Sequence, residues 1–162
     1  MSVLVRKINR AKWSPSDTMC DDDVPADAIT SCMRTNSNSL SVWEVESDDN
    51  LDDSVLAVAA ASDRLETIDV VPLSAEYLRD NGIVCRPSRG RTPVENLAKT
   101  HRDLVNLSYR TLGVIAYHIV DRISDNRVRR YTVASQKQIL KAAITAGTLR
   151  REDLTDSVNK TI

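Results

Sequence analysis

The chain has 162 residues, of which 41% are apolar and 28% are charged, proportions typical of a globular protein and not of a disordered one. No apolar stretch approaches the roughly 20 residues of a membrane-spanning helix, so we expect no membrane partner. The net charge of −1 conceals a division, because residues 1–81 carry 16 acidic and 7 basic side chains whereas residues 82–162 carry 7 acidic and 15 basic ones. Such asymmetry indicates either a charged partner or two halves that neutralise each other.

The cysteines indicate a reducing compartment. Cys20, Cys32 and Cys85 are widely spaced and form neither a Cys-x-x-Cys pair nor a zinc-binding pattern with the two histidines. Unpaired thiols are typical of intracellular proteins, and the apolar run at the amino terminus is too short for a signal peptide. We therefore expect a cytoplasmic protein.

The first half contains four predicted strands. β-Branched residues and alternation predict strands over residues 2–8, 40–46 and 68–73, and a short fourth strand is expected at 83–85. Pro72 cannot donate a ladder hydrogen bond, so it is expected at a sheet edge or a strand end.

Helix signals lie between these strands. Pro25 is typical of the first position of a short helix, and an alanine-rich run predicts a second helix over about 52–64. Ser74 is a suitable N-cap for a third helix that ends at Gly82.

The second half is predicted to be helical. A capping box with an apolar stripe at helical spacing predicts a helix over 92–105, after which Ser108 is a break or a new cap. A second stripe predicts a helix over 112–123, and a second capping box predicts a helix over 135–147. Spacing of four between apolar residues indicates a last helix in 154–162.

These elements predict an α+β or α/β fold. We expect one compact domain over 1–162, with a small mixed sheet and helices in residues 1–85 followed by a helical hairpin or bundle over 92–162.

Catalytic signals are weak. His101 lies on the apolar stripe of its predicted helix, where a hydrogen-bonded core or interface histidine is expected, and His118 is expected to be partly exposed. The sequence contains no Gly-x-Ser-x-Gly elbow and no glycine-rich phosphate loop. We predict no catalytic residue and no cofactor.

Two acidic segments, 21–23 and 48–53, could supply oxygen ligands to a hard cation. The second lacks the glycine and the terminal glutamate of an EF-hand loop. Such runs are more typical of solvated turns and helix caps, so we assign no metal ligand.

Two arginine segments, 86–91 and 127–130, each precede a predicted capped helix. Guanidinium groups beside a helix amino terminus can bind anions, and arginines next to a tyrosine can contact phosphates and bases. A solvated loop is the alternative for the first segment. The candidate residues for binding a partner or nucleic acid are Arg86, Arg89, Arg91, Arg127, Arg129 and Arg130.

Separated acidic and basic surfaces favour specific protein encounters. We therefore expect a non-catalytic protein–protein interaction or adaptor subunit of a larger bacterial assembly, such as an antiviral-defence or toxin–antitoxin complex. The first alternative is a nucleic-acid-binding regulator that uses the two arginine segments. The second is a metal-dependent hydrolase or nuclease that uses the aspartates.

Overall fold

The fold is described by a computed structural model for residues 2–15, 19–20 and 23–162. Within these ranges six strands form one sheet: β1 (Val3–Ile8), β2 (Leu40–Val45), β3 (Ile68–Ser74), β4 (Val84–Pro87), β5 (His101–Val105) and β6 (Arg129–Tyr131). Their order is β4–β5–β2–β1–β3–β6, and every neighbouring pair is antiparallel. The sheet therefore has β4 at one edge and β6 at the other.

Helices connect the strands. Over the same described ranges the α-helices are α1 (Ala26–Cys32), α2 (Leu51–Ala60), α3 (Ala75–Asp80), α4 (Glu95–Ala98), α5 (Tyr109–Ser124), α6 (Val133–Thr145) and α7 (Asp156–Asn159). Single 3₁₀ turns lie at Arg10–Trp13, Asp48–Asn50 and Arg151–Asp153. No helix in the described part of the chain is both long and apolar enough to cross a membrane.

The first face of the sheet packs against α1, α3 and α5. Alternation along the strands directs Leu4 and Val71 to this face, where they form one buried cluster with Ile115 and Ile119 of α5. Leu78 of α3 belongs to the same cluster. This layer holds the largest of the three buried apolar clusters.

The second face packs against α2 and α6. Val3 and Val5, which point away from the first face, contact Leu51 and Val55 of α2. The alanine side of α2 then packs against Leu140 of α6, because small side chains allow the two helices to approach closely. Ile139 of α6 also packs against the cluster that contains Val3 and Val5, so both helices cover this face of the sheet.

Several predicted elements are confirmed. Strands predicted over 2–8, 40–46 and 68–73 are β1, β2 and β3, and the fold is α+β with a helical part near the carboxyl terminus. Pro72 lies beyond the three residues of β3 that pair with β6, where β3 has no second neighbour among the described strands. The position of Pro72 at a sheet edge follows from its missing N–H group.

The helix predicted over 92–105 is wrong. Residues Glu95–Ala98 form one short turn of helix, and the chain then enters β5, which pairs with both β2 and β4. Two consecutive elements, a helical turn and a strand, together mimic the spacing of one helical stripe. The sheet therefore extends past residue 85, since the 92–162 segment supplies β5 and β6.

One of the two helix caps predicted for the second half differs from the cap in the structure. Ser108 caps α5 through a reciprocal capping box with Thr111, as the sequence indicates. The capping box predicted at Ser135 is wrong, because α6 begins two residues earlier and the Thr132 side chain accepts the Ser135 N–H. The helix starts early because β6 ends at Tyr131, directly before the cap.

The expected exposure of His118 is also wrong. The residue is only 7% exposed, its Nε2 accepts the Ser74 N–H at 3.0 Å, and its ring stacks on Tyr77 at 4.1 Å between centroids. Burial lowers the pKa of His118 below 6.5, the nearby Arg122 lowers it further, and Asp121 opposes the shift. A neutral ring is needed, because a protonated Nε2 cannot accept the Ser74 N–H.

The free energy of unfolding is expected to fall as the pH is lowered from about 7.5 to about 5.5. Because folding lowers the pKa of His118, the unfolded state binds more protons in this window and acid favours it. Urea unfolding at the two pH values measures the change. His118→Gln, whose amide oxygen can accept the same N–H, should make the dependence shallower, and an equally steep dependence in H118Q would contradict this role.

Candidate functional site

The two arginine segments lie at opposite edges of the sheet. Residues 86–91 run from edge strand β4 into the loop that follows it, whereas residues 127–130 lead into edge strand β6. Five strand spacings of about 4.8 Å separate the two edges, a distance of about 24 Å. The fold therefore does not join the six predicted arginines into one surface.

Arg127 and Arg129 lie against the acidic turn that precedes α2. Arg127 forms an ion pair and a hydrogen bond with Asp48, and Arg129 lies 3.9 Å from Asp49. These contacts join the acidic half of the sequence to the basic half. Part of the charge asymmetry is thus neutralised inside the molecule.

Arg130 is paired more closely. Its Nε donates to Asp69 Oδ1 at 2.8 Å and its Nη2 to Asp69 Oδ2 at 3.2 Å, while the Arg10 backbone N–H donates to the same carboxylate at 3.1 Å. Burial by itself raises the pKa of Asp69, but these hydrogen bonds and the charge of Arg130 hold the pKa below its ordinary value. Asp69 is therefore a charged anchor for β6.

The 86–91 segment is paired less completely. Arg86 lies opposite Asp103 in the ladder between β4 and β5, and Arg89 donates two hydrogen bonds to Glu95, at 3.1 and 2.5 Å. Arg91 is exposed and forms no ion pair with any described residue. Arg86 is likewise exposed and forms no ion pair with a described residue, so two guanidinium groups of this segment keep their charge unneutralised.

The loop after β4 is fixed against an aromatic pair. Trp43 and His101 meet edge to face at 4.9 Å between centroids, and Ser88 Oγ shares a hydrogen bond of 2.7 Å with His101 Nδ1. The Gly90 N–H donates to the Ala98 carbonyl at 2.9 Å. Burial lowers the pKa of His101, although the nearby carboxylate of Asp103 opposes the shift.

This loop forms one wall of a cleft of about 550 Å³, which we call the arginine cleft. The opposite wall comes from β1 and from the turn between α1 and β2. The charged and titratable residues that line it are Arg6, Arg34, Arg89, Arg91, His101 and Asp103. Of these, Arg89 and Arg91 are sequence-predicted site residues.

Arg6 occupies the point where β1 and β2 separate. The β1–β2 ladder ends at the Val5–Trp43 pair, and the Arg6 guanidinium then donates to the Cys32 carbonyl at 2.7 and 3.2 Å and to the Ser41 carbonyl at 2.7 Å. Burial lowers the pKa of Arg6, and no carboxylate of a described residue lies within 4.0 Å of it.

Sequence reasoning missed Arg6 and Arg34. A signal for Arg6 is present, because the alternation of Leu4, Arg6 and Ile8 places an arginine on the apolar side of a strand. Arg34 has no such signal, since only the fold brings its turn beside the loop after β4.

The acidic segments serve the fold where the structure describes them. Asp52 accepts a hydrogen bond from the Tyr131 hydroxyl at 2.6 Å. Burial raises the pKa of Tyr131, and this hydrogen bond raises it further. Asp21 and Asp22 lie outside the described residues. In the described ranges, no group of three or more histidine, cysteine or acidic residues could hold a metal ion.

A second surface feature lies on α5. Tyr109 is 94% exposed and Tyr117 is 54% exposed, and the spacing of eight residues puts them on one side of the helix. Gly113 lies between them, and a Cβ atom there would have no described heavy atom within 4 Å apart from its own helix. We call these three residues the α5 face.

Gly90→Ala is expected to destabilise the protein by about 1–3 kcal/mol. The new Cβ would lie 2.3 Å from Trp43 Cη2 and 3.1 Å from His101 Cβ, so the loop or the indole must move. Urea unfolding and the tryptophan emission maximum measure the effect. Gly113→Ala is the matched control, because its Cβ meets open space. Equal stability of G90A and the unaltered protein would show that the loop does not pack as described.

Comparison of the chain with protein-family models, with curated proteins and with solved structures found no match.

Proposed function

We propose that the chain is a non-catalytic interaction subunit that binds another protein through the α5 face. The observation that carries the proposal is the placement of the aromatic residues. The chain has no Phe and four Tyr, and three of these tyrosines are at least 36% exposed. Tyrosine is enriched at the energetic centres of protein interfaces, because it combines a large apolar surface with one hydroxyl group.

The α5 face also contains a glycine that the monomer does not need. Gly113 is in the second turn of a 16-residue helix, and in a helix interior glycine is about 0.5–1 kcal/mol less favourable than alanine. No described neighbour requires the missing side chain, and its φ is not positive. The missing side chain at Gly113 leaves a shallow depression between Tyr109 and Tyr117, which has room for a protruding side chain of a partner.

The partner we propose presents an apolar side chain to Gly113 and a carboxylate to Arg110. Arg110 is exposed beside Tyr109 and pairs with no acidic group of the described residues. A desolvated guanidinium at an interface favours a bidentate carboxylate. A second copy of this chain would be a different occupant, and light scattering distinguishes such a dimer from a complex with another protein.

The other functions expected from the sequence stay predictions. Ion pairs of Arg127, Arg129 and Arg130 reduce the positive charge that this segment can offer to nucleic-acid phosphates. No contact among the described residues argues for metal-dependent hydrolysis, for a cytoplasmic location or for a defence or toxin–antitoxin assembly. The α5 face is therefore the feature on which our proposal depends.

Tyr117→Ser is expected to weaken binding of the partner by about tenfold or more, since truncating a central interface tyrosine often costs about 2 kcal/mol. Affinity capture with the tagged full chain in its native host, identification of the partner by mass spectrometry, and titration with the purified partner measure the loss. Val84→Ser is the matched control, because Val84 is exposed on β4, away from the α5 face.

Two outcomes would contradict this proposal. A partner that binds Y117S and V84S equally well does not use the α5 face. A chain that forms a dimer by light scattering, with the dimer lost in Y117S, has a second copy and not another protein as its occupant.

Gly113→Ala is expected to raise the free energy of unfolding by about 0.5–1 kcal/mol while weakening the partner complex. The gain follows from the helix propensity of alanine, and the loss follows from a methyl group placed between Tyr109 and Tyr117. Urea unfolding and the same titration measure the two effects. Unchanged partner affinity in G113A would argue against close approach at this glycine.

A further inference from the structure

We propose that the arginine cleft binds a small anion that carries phosphate groups, of the size of pyrophosphate or a nucleotide. This site is separate from the α5 face and does not depend on the proposed protein partner.

The charge lining the arginine cleft is not neutralised. Arg6, Arg34 and Arg91 have no carboxylate within 4.0 Å among the described residues, and Arg89 is paired with Glu95. Asp103 is the only carboxylate in the described lining, and its Oδ1 accepts the Ser41 hydroxyl at 3.2 Å. Three unpaired guanidinium groups thus outweigh one carboxylate.

A neighbouring cleft provides an internal comparison. It has a similar volume, about 540 Å³, and is lined by Arg6, Lys7 and Arg130. There, Lys7 pairs with Glu66 at 2.9 Å, and Arg130 pairs with Asp69. The fold therefore neutralises Lys7 and Arg130 with its own carboxylates. Arg6, which lines both clefts, and Arg34 and Arg91, which line only the arginine cleft, remain available to an external anion.

Arg6 is held in place before any ligand binds. Its three hydrogen bonds go to carbonyl oxygens of Cys32 and Ser41, which are fixed at the end of α1 and in β2. Guanidinium has five N–H groups, so two remain for an acceptor that enters the cleft. Because the side chain is already ordered, binding costs little conformational entropy at this position.

Phosphate oxygens match these donors. Guanidinium binds phosphate in a bidentate manner, and a charged acceptor gives stronger hydrogen bonds than a neutral one. The side-chain amide of Asn36, which lines the same wall, adds an uncharged donor, whereas the Ser39 hydroxyl donates to the Asn36 carbonyl at 2.8 Å. A ligand with two or more negative charges would balance the three unpaired arginines.

The dimensions favour a small ligand over nucleic acid. Pockets for small molecules have volumes of about 300–1,000 Å³, a range that includes this cleft of about 550 Å³. A nucleic-acid strand needs a basic track that continues along its backbone. Here, the arginines at the far edge of the sheet are paired with Asp48, Asp49 and Asp69.

Calorimetric titration of the full chain with pyrophosphate at low salt tests the proposal. We expect one site per chain and affinity that falls with added salt, because the contacts are ionic. Arg91→Gln should weaken binding by about tenfold or more, as expected for loss of one charge-assisted contact. Arg91 is exposed and forms no ion pair with described residues, so R91Q should fold normally.

Arg86→Gln is the matched control, since it removes the same charge from the same segment without altering the described cleft lining. Retained affinity in R86Q, with loss in R91Q and in Arg34→Gln, supports the site. Absence of binding, or equal weakening by R86Q and R91Q, overturns it. A single-stranded oligonucleotide that binds about tenfold more tightly than pyrophosphate also overturns the assignment to a small ligand.

Discussion

The antiparallel ladder between β1 and β2 ends at the Val5–Trp43 pair, although β1 continues to Ile8 against β3. Beyond that pair, the Arg6 guanidinium joins the separating strands, because it bonds the Ser41 carbonyl on β2 and the Cys32 carbonyl at the end of α1. A positive group at a helix carboxyl end also interacts favourably with the helix dipole. Separation of the two strands opens the arginine cleft, and Arg6 holds α1 beside it. The site and the central sheet therefore depend on the same side chain.

The charge division of the sequence has two different outcomes in the folded protein. Acidic groups of the first half neutralise the 127–130 segment, since turn 48–49 and β3 lie beside β6. The 86–91 segment is at the other edge of the sheet, where Glu95 pairs with Arg89 and leaves Arg86 and Arg91 without an ion-pair partner among the described residues. Strand order, and not composition, decides which arginines keep their charge. The charge difference between the two halves of the sequence would be the same whether the fold neutralised all of these arginines or none of them.

The fold was predictable where one element follows one pattern. Strands β1, β2 and β3 show alternation and β-branched residues, and α5 has a continuous stripe with Ser108 as its cap. Prediction failed where two short elements follow each other. In residues 94–105, the turn of α4 and the strand β5 both bury apolar residues, and their combined spacing resembles a helix. The pairing of β5 with β2 and β4 is a long-range interaction, so tertiary contacts outweigh the local helical signal.

The candidate site was predictable only in part, because its residues come from separate elements. Arg89 and Arg91 stand out as a run in the sequence, whereas Arg6 is marked only by its place on the apolar side of β1 and Arg34 lies in an ordinary turn. The roles of the glycines could not be predicted from the sequence either, since Gly90 and Gly113 both lie outside recognisable motifs. The structure separates them: Gly90 has an indole at 2.3 Å from the position of a Cβ, and Gly113 has open space. The first glycine is required by packing within the chain, whereas the second leaves room for a group from outside it. This contrast separates the residues that build the arginine cleft from those of the α5 face.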